Sequence, residues 1–266
     1  MRGNYLRFLM LGDVVGRPGR KAIQKILPMV LQEHKPDLVI ANGENVAGGN
    51  GITLDTAWEL FSGGIDVITL GNHVWDKREA FSLLDKEERI IRPANYPPGT
   101  PGRGYTIVNV NQEYKVGIIN LSGRVFLPPM DCPFRIGYQL AEELREETKF
   151  ILVDFHAEAT SEKVALGWYL DGMVSAVVGT HTHIQTADAR ILPNGTAYIT
   201  DVGMTGPRDS VLGVKKEIII NKFLSNLPAR FEVANGVMQL EAIIIDVDPV
   251  TGKAVSVNRL QHYYSD

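Results

Sequence analysis

Residues 6–13, Leu6-Arg7-Phe8-Leu9-Met10-Leu11-Gly12-Asp13, are an apolar run that stops at a glycine and a carboxylate. The run is too short for a helix and suits a strand buried on both faces. The figure recurs along the chain. Leu38 to Ala41 leads to Gly43-Glu44-Asn45, and Val67 to Leu70 leads to Gly71-Asn72-His73. Ile151 to Asp154 leads to Phe155-His156, and Val174 to Val178 leads to Gly179-Thr180-His181-Thr182-His183. Amphipathic stretches intervene, and helices are expected over Gly19 to Glu33, Thr53 to Phe61, Lys77 to Leu84, Gln139 to Glu147 and Ser161 to Leu170. Strands alternating with helices imply parallel pairing through right-handed crossovers, hence an α/β fold.

The final third changes character. Asp188 to Leu192 and Thr196 to Thr200 flank Pro193-Asn194-Gly195, a strong hairpin turn, and strands are expected again over Met238 to Val247 and Ala254 to His262. This pattern implies a second, partly antiparallel sheet. No linker composition or charge shift marks a boundary, so one domain spanning 1–266 is expected, with Pro93 to Gly104 as a long surface loop. A net charge of −4 gives no overall attraction for nucleic acid or an anionic membrane, so positive charge for phosphate chemistry must be local. The single Cys132 excludes an internal disulfide and a thiolate metal cluster, which fits a reducing cytoplasm. The run Leu6 to Leu11 is too short for a signal segment, and no stretch is long enough to span a membrane.

Metal-ligand residue types collect at the carboxyl ends of the expected strands, where open α/β sheets place their sites. Of six histidines, His73, His156, His181 and His183 fall there, and only His34 and His262 lie elsewhere. In an extended segment, residues two apart point the same way, so His181 and His183 could each reach one of two cations roughly 3.5–4 Å apart. Plainer accounts exist: Asp13 as a helix N-cap, Asn72 as a left-handed turn residue, His156 as a hydrogen-bonded core histidine. Glu44 resists such an account, because a carboxylate between Gly43 and Asn45 forms turns poorly and bridges metals well. Oxygen and imidazole ligands without cysteine select manganese, iron, zinc or cobalt over copper(I). Gly48-Gly49-Asn50-Gly51 is a candidate phosphate cradle; Arg17, Arg20 and Arg208 are candidate clamps. Trp75, Phe126 and Phe134 are candidate base-stacking groups. Solvated or packed roles are the alternative for each.

The motifs Gly12-Asp13-Val14-Val15-Gly16, Gly43-Glu44-Asn45-Val46-Ala47-Gly48-Gly49, Gly71-Asn72-His73-Val74-Trp75-Asp76, Asp154-Phe155-His156-Ala157-Glu158, Gly179-Thr180-His181-Thr182-His183 and Asp201-Val202-Gly203-Met204-Thr205-Gly206-Pro207 occur in that order. Together they resemble the calcineurin-like metallophosphoesterase superfamily and, within it, the YmdB-like family of bacterial phosphodiesterases. The broad superfamily has D-x-H where this chain has Asp13-Val14-Val15, and aspartate where it has Glu44; both departures match the YmdB-like subgroup. The resemblance implies a four-layer α/β/β/α sandwich. It implies that Asp13, Glu44, Asn45 and His183 hold one metal ion while Glu44, Asn72, His156 and His181 hold the other, with Glu44 bridging. Iron or manganese is the expected pair, with zinc or cobalt as alternatives. The implied activity is hydrolysis of cyclic nucleotides, chiefly 2′,3′-cyclic, and the implied partners include RNA-turnover machinery; a homo-oligomer is expected.

The expected mechanism is attack on phosphorus by a metal-bridging hydroxide, with His73 protonating the leaving alkoxide. Neighbours in an extended segment point opposite ways, which frees His73 from ligating beside Asn72; its alternative role is fixing a ligand's geometry. The segment around 122–137 reads as a cap that narrows access and favours a small substrate. Alternatives are a phosphomonoesterase or protein phosphatase on the same centre, and a regulatory protein that binds RNA-turnover machinery.

Overall fold

A computed structural model describes residues 5–265. In chain order the elements are β1 (Leu6–Leu11), β2 (Asp13–Val14), α1 (Gly16–His34), β3 (Leu38–Asn42), α2 (Leu54–Ser62), β4 (Val67–Thr69), α3 (Ala80–Lys86) and β5 (Ile90–Ile91). There follow β6 (Tyr105–Val110), β7 (Tyr114–Ser122), α4 (Pro133–Arg145), β8 (Phe150–His156), α5 (Thr160–Tyr169), β9 (Ala176–Thr180), β10 (Arg190–Ile191) and β11 (Ala197–Ile199). The chain closes with β12 (Met204–Pro207), α6 (Lys216–Ser225), β13 (Met238–Val247) and β14 (Ala254–Tyr264). No described helix is long and apolar enough to cross a membrane.

Two sheets form. The first runs β2-β12-β13-β1-β3-β4-β5, with β14 also on β13; β1, β3, β4 and β5 are parallel, and β13 is antiparallel to β1. The second runs β10-β11-β9-β8-β7-β6, parallel from β11 to β7 and antiparallel at both ends. The hairpin around Asn194-Gly195 is present as β10 and β11. The partly antiparallel second sheet is therefore present, but β13 and β14 extend the first sheet instead.

The central strands are apolar on both faces, as strands covered on both sides must be. Phe8 and Met10 of β1, Leu38 and Ile40 of β3, Leu152 of β8, Val178 of β9 and Ile243 and Ile245 of β13 share one cluster drawn from both sheets. The alternate residues Leu9, Leu11, Val39 and Ala41 pack with Ile23, Ile26, Leu27 and Val30 of α1. Those four follow helical spacing, and the helix stops where Lys35 turns left-handed at φ 47°. On the second sheet, Ile151, Val153, Phe155 and Val177 pack with Ala141 and Leu144 of α4 and Leu166 of α5.

Several expectations need correction. Val174 to Val178 is displaced: β9 begins at Ala176, because Val174 bridges Asp171 in a turn. The helix expected at Gln139 starts at Pro133, a residue suited to a first helical turn, so α4 takes the end of the segment around 122–137. Within Pro93 to Gly104, Asn95 is fully buried and its amide donates to Ser122 O and Asp131 O, so the start of that loop is core rather than surface.

Candidate metal centre

The carboxyl ends of parallel strands from both sheets come together, joined by buried polar bonds. Asn42 Nδ2 donates to Asp154 Oδ2 at 3.1 Å, Thr69 Oγ1 donates to the same oxygen at 2.5 Å, and Leu70 N donates to Asn120 Oδ1 at 3.2 Å. Beyond this seam all the expected ligand residues converge.

His156 closes β8 and is fully buried. Its Nδ1 lies 2.9 Å from Thr180 Oγ1, whose own proton goes to Asp154 Oδ1 at 2.8 Å. Nδ1 therefore carries a hydrogen and Nε2 faces inward, 3.1 Å from Glu44 Oε1, 3.1 Å from Asn72 Oδ1 and 2.9 Å from His181 Nδ1. His181 turns its other nitrogen to Glu158 Oε2 at 3.0 Å. His183 sets Nδ1 3.0 Å from Leu212 O, leaving Nε2 3.2 Å from Asn45 Oδ1 and 3.9 Å from Asp13 Oδ1. Asn45 Nδ2 donates to Gly49 O, which aims its oxygen inward.

Each imidazole thus has its outer nitrogen taken by an acceptor, and the inner lone pairs face one another and four side-chain oxygens. Acceptors crowded at about 3 Å need a cation between them, and ligands at about 2.1 Å on adjacent corners of a coordination sphere are spaced that way. Among the described residues, Glu44, His156 and His181 present ligand atoms within 4.8 Å of one another, a group that could hold a metal ion. Asp13 Oδ1 is fully buried and has no hydrogen-bond partner among the described residues. Such an orphaned acceptor is costly unless a cation meets it.

The protonation pattern carries the same message. Burial opposes the charge on His156, but Glu44 foremost, then Asp13 and Asp154, outweigh it and push its pKa up to about 9. Burial likewise opposes Glu44, yet His156 brings it down to about 2. Burial raises Asp13 to about 6 against the pull of His183 and His156, and burial followed by the His156 charge lowers His181 to about 3. One proton on His156 compensates the buried carboxylates, a role that a metal cation would take over.

The site corrects two premises. His181 and His183 do not lie on an extended segment: β9 ends at Thr180, and the two take left-handed backbones at φ 102° and 61°. Asn72 and His73 also lie in a turn beyond β4, although they do point apart: Asn72 Oδ1 meets His156, while His73 Nδ1 is 2.8 Å from Asp76 Oδ2. His73 N donates to Glu44 Oε2 at 3.0 Å, and its ring is 39% exposed. In the glycine-rich loop, Gly49 N bonds Asn45 O and Gly48 N bonds Val46 O, so these two amides hold the loop against Asn45. Arg20 is bound to Glu59 and Val46 O, Arg208 stacks on Tyr263, and Trp75 packs against Phe81 and Tyr96. Phe134 meets Tyr169, whereas Phe126 is 88% exposed. Sequence reasoning assigned no part to Asp76, Glu158 or Thr180, although Asp76 and Glu158 follow His73 and His156 by three and two residues within quoted motifs.

The YmdB-like protein family pattern matches residues 9–260. The chain is 53% identical over 255 residues to a 2′,3′-cyclic-nucleotide 2′-phosphodiesterase of Bacillus subtilis (strain 168), covering 96% of each. Among solved structures, a hypothetical protein from Thermus thermophilus superposes with TM-score 0.91 at 43% identity, covering 97% of this chain and 99% of that one. A novel phosphatase from Mycoplasma pneumoniae superposes with TM-score 0.92 at 35% identity, covering 99% and 95%.

Proposed function

The chain belongs to the YmdB-like protein family, and from that premise we propose that it is a dinuclear-metal phosphodiesterase acting on cyclic nucleotides, chiefly 2′,3′-cyclic ones. The observation that carries this reading is the convergence of imidazole lone pairs, amide oxygens and carboxylates on a buried space, with Asp13 Oδ1 lacking a hydrogen-bond partner among the described residues. The named activity of the Bacillus subtilis relative supports the substrate class.

Asp13, Glu44, Asn45 and His183 would hold one cation, and Glu44, Asn72, His156 and His181 the other, with Glu44 shared. Two bound cations would supply an activated water and neutralise charge on the phosphate oxygens. Glu44 suits the shared position because its oxygens face different neighbours, Oε1 towards His156 and Oε2 towards the His73 amide. His73 is the proposed proton donor. Asp76 accepts from Nδ1, which fixes the ring and leaves Nε2 to protonate the leaving alkoxide. Its partial exposure puts that nitrogen within reach of a bound ester, unlike buried His156.

The three apolar clusters support a four-layer α/β/β/α sandwich, and we treat residues 1–266 as one domain. The irregular part of the cap is then 123–132. It is rooted beside the centre, where Gly123 N donates to His156 O and the Glu162 carboxylate accepts from Arg124 N and Val125 N. A cap so placed favours a small ester over a protein substrate. Cytoplasmic location, which the single Cys132 fits, homo-oligomeric assembly, and contact with RNA-turnover machinery, which the family resemblance implies, belong to the same reading.

The test is turnover by manganese- or iron-reconstituted protein of 2′,3′-cyclic AMP, 3′,5′-cyclic AMP, bis(p-nitrophenyl) phosphate and p-nitrophenyl phosphate, with Glu44→Ala as blank. Diesters hydrolysed well above the monoester support the proposal. Faster monoester hydrolysis makes it a phosphatase, and no turnover with a loaded centre makes it a regulatory protein.

A further inference from the structure

We infer that the buried ion pair between Lys163 and Asp201 is the positioning device that holds the His181–His183 loop in shape, and that Asp201 thereby sets the affinity of the centre for cations. The inference rests on the dinuclear reading of that centre.

His181 and His183 both have left-handed backbones, a conformation unfavourable for residues with a β-carbon that persists only when surrounding contacts impose it. Between them sits Thr182, and both its donors go to one oxygen. Asp201 Oδ2 accepts from Thr182 N at 3.0 Å, from Thr182 Oγ1 at 2.7 Å and from Lys163 Nζ at 2.7 Å. Pinning the amide and hydroxyl of the middle residue restricts the backbone on both sides of it. Asp201 Oδ1 accepts from Gly203 N at 2.9 Å, and Gly203 O accepts from Asp13 N at 3.0 Å. One short segment therefore fixes both the His-Thr-His loop and Asp13.

The charge matters as well as the shape. Lys163 is 1% exposed and Asp201 0%, and a buried charge is tolerated when it is paired and hydrogen-bonded. Lys163 reaches Asp201 from α5 past Gly179, where an added β-carbon would stand 1.8 Å from Thr200 O and 3.0 Å from Lys163 Cδ. An amide at 201 has the same outline but would turn a donor towards Gly203 N–H or Lys163. Neither charged group is among the proposed ligands, so they act through Thr182.

The test uses the metal-stripped full chain, titrated with Mn²⁺ by calorimetry, as wild type, Asp201→Asn, Lys163→Met and Thr182→Val. Asp201→Asn and Lys163→Met are expected to weaken Mn²⁺ binding about 10- to 100-fold, as loss of groups that orient ligands does, and Thr182→Val by severalfold. At saturating Mn²⁺ the variants' kcat for bis(p-nitrophenyl) phosphate recovers to about a third of wild type or more, because the lesion lies in metal affinity and not in the chemical step. A purely structural pair would lower the melting temperature and leave the affinity of the folded protein unmoved. Asp201→Asn that keeps its near-ultraviolet dichroism and binds Mn²⁺ within about twofold of wild type overturns the inference. Should that variant not fold, unaltered affinity in Thr182→Val does the same. If wild-type protein takes up no Mn²⁺, the dinuclear reading falls and this inference with it; if it takes up two ions and the variants match it, this inference alone falls.

Discussion

Adding one carbon atom at Gly71 should disable the centre while leaving the fold standing. Gly71 has a backbone conformation open to any residue, yet its β-carbon would lie 2.3 Å from His156 Cδ2 and 2.4 Å from both His156 Nε2 and Glu44 Oε2. Ordinary contact between such atoms is about 3.5 Å, so both side chains must move by about 1 Å, or the Gly71 backbone must move away from both. Both side chains are buried and held by hydrogen bonds, His156 to Thr180 and Glu44 to the His73 amide, so any shift displaces their ligand atoms. Metal sites tolerate ligand errors of about 0.2 Å, so a shift several times larger should weaken cation binding at least about 100-fold. The cost to the fold is that of modest overpacking, about 1–3 kcal/mol, which for a chain of this size lowers Tm by roughly 2–12 °C. Elemental analysis, Mn²⁺ titration and bis(p-nitrophenyl) phosphate turnover of Gly71→Ala check this. A folded Gly71→Ala that carries two metal equivalents and turns over at the wild-type rate would refute the placement of Glu44 and His156 around a cation.

His73→Ala should retain both metal ions and lose about 10²- to 10⁴-fold in kcat, the range for removing a general acid, and a variant that instead loses its metals would make His73 a ligand. Removing cations should destabilise the protein: at a free metal concentration about 100 times Kd, each bound ion adds about 2.7 kcal/mol, or roughly 5–11 °C in Tm per site between metal-loaded and EDTA-stripped protein. Calorimetric scans showing equal Tm would count against a metal bound to the folded state. The affinity should also depend on pH. With the His156 pKa raised to about 9 in the metal-free protein by Glu44 and Asp13 against burial, the proton-bound form prevails below pH 9, and the cation must displace that proton. Apparent Mn²⁺ affinity should then fall by up to about tenfold per unit as pH drops from 9 towards 7, and a flat profile would contradict the shared-proton account.

Much of this was legible because strand ends and ligands are written in the same short motifs. β1 falls on Leu6 to Leu11 as read, and Asp13, Glu44, Asn45, Asn72, His156, His181 and His183 do converge. The hairpin of β6 and β7 was missed, although Tyr105–Val110 and Tyr114–Ser122 pair in register across the left-handed Asn111 and Gln112. Neither residue is glycine, so the turn carried no strong signal. The helix α6 hides in Glu217-Ile218-Ile219-Ile220, a β-branched run with weak local preference for helix. The backbone of the His181–His183 loop was misread for a deeper reason. Its shape is imposed by Asp201, a residue that lies 19 positions from Thr182 and belongs to another segment. Local alternation has no access to such a contact. The same holds for Thr180 and Asp154, whose relay to His156 exists only after β8 and β9 pair.

The dinuclear centre is tested most directly by anomalous diffraction from crystals of manganese-loaded protein, recorded at the metal absorption edge. The account predicts two peaks roughly 3.5–4 Å apart, one beside Asp13, Asn45 and His183, the other beside Asn72, His156 and His181, with Glu44 touching both. A single peak, or two that leave Asp13 without a metal neighbour, would contradict it.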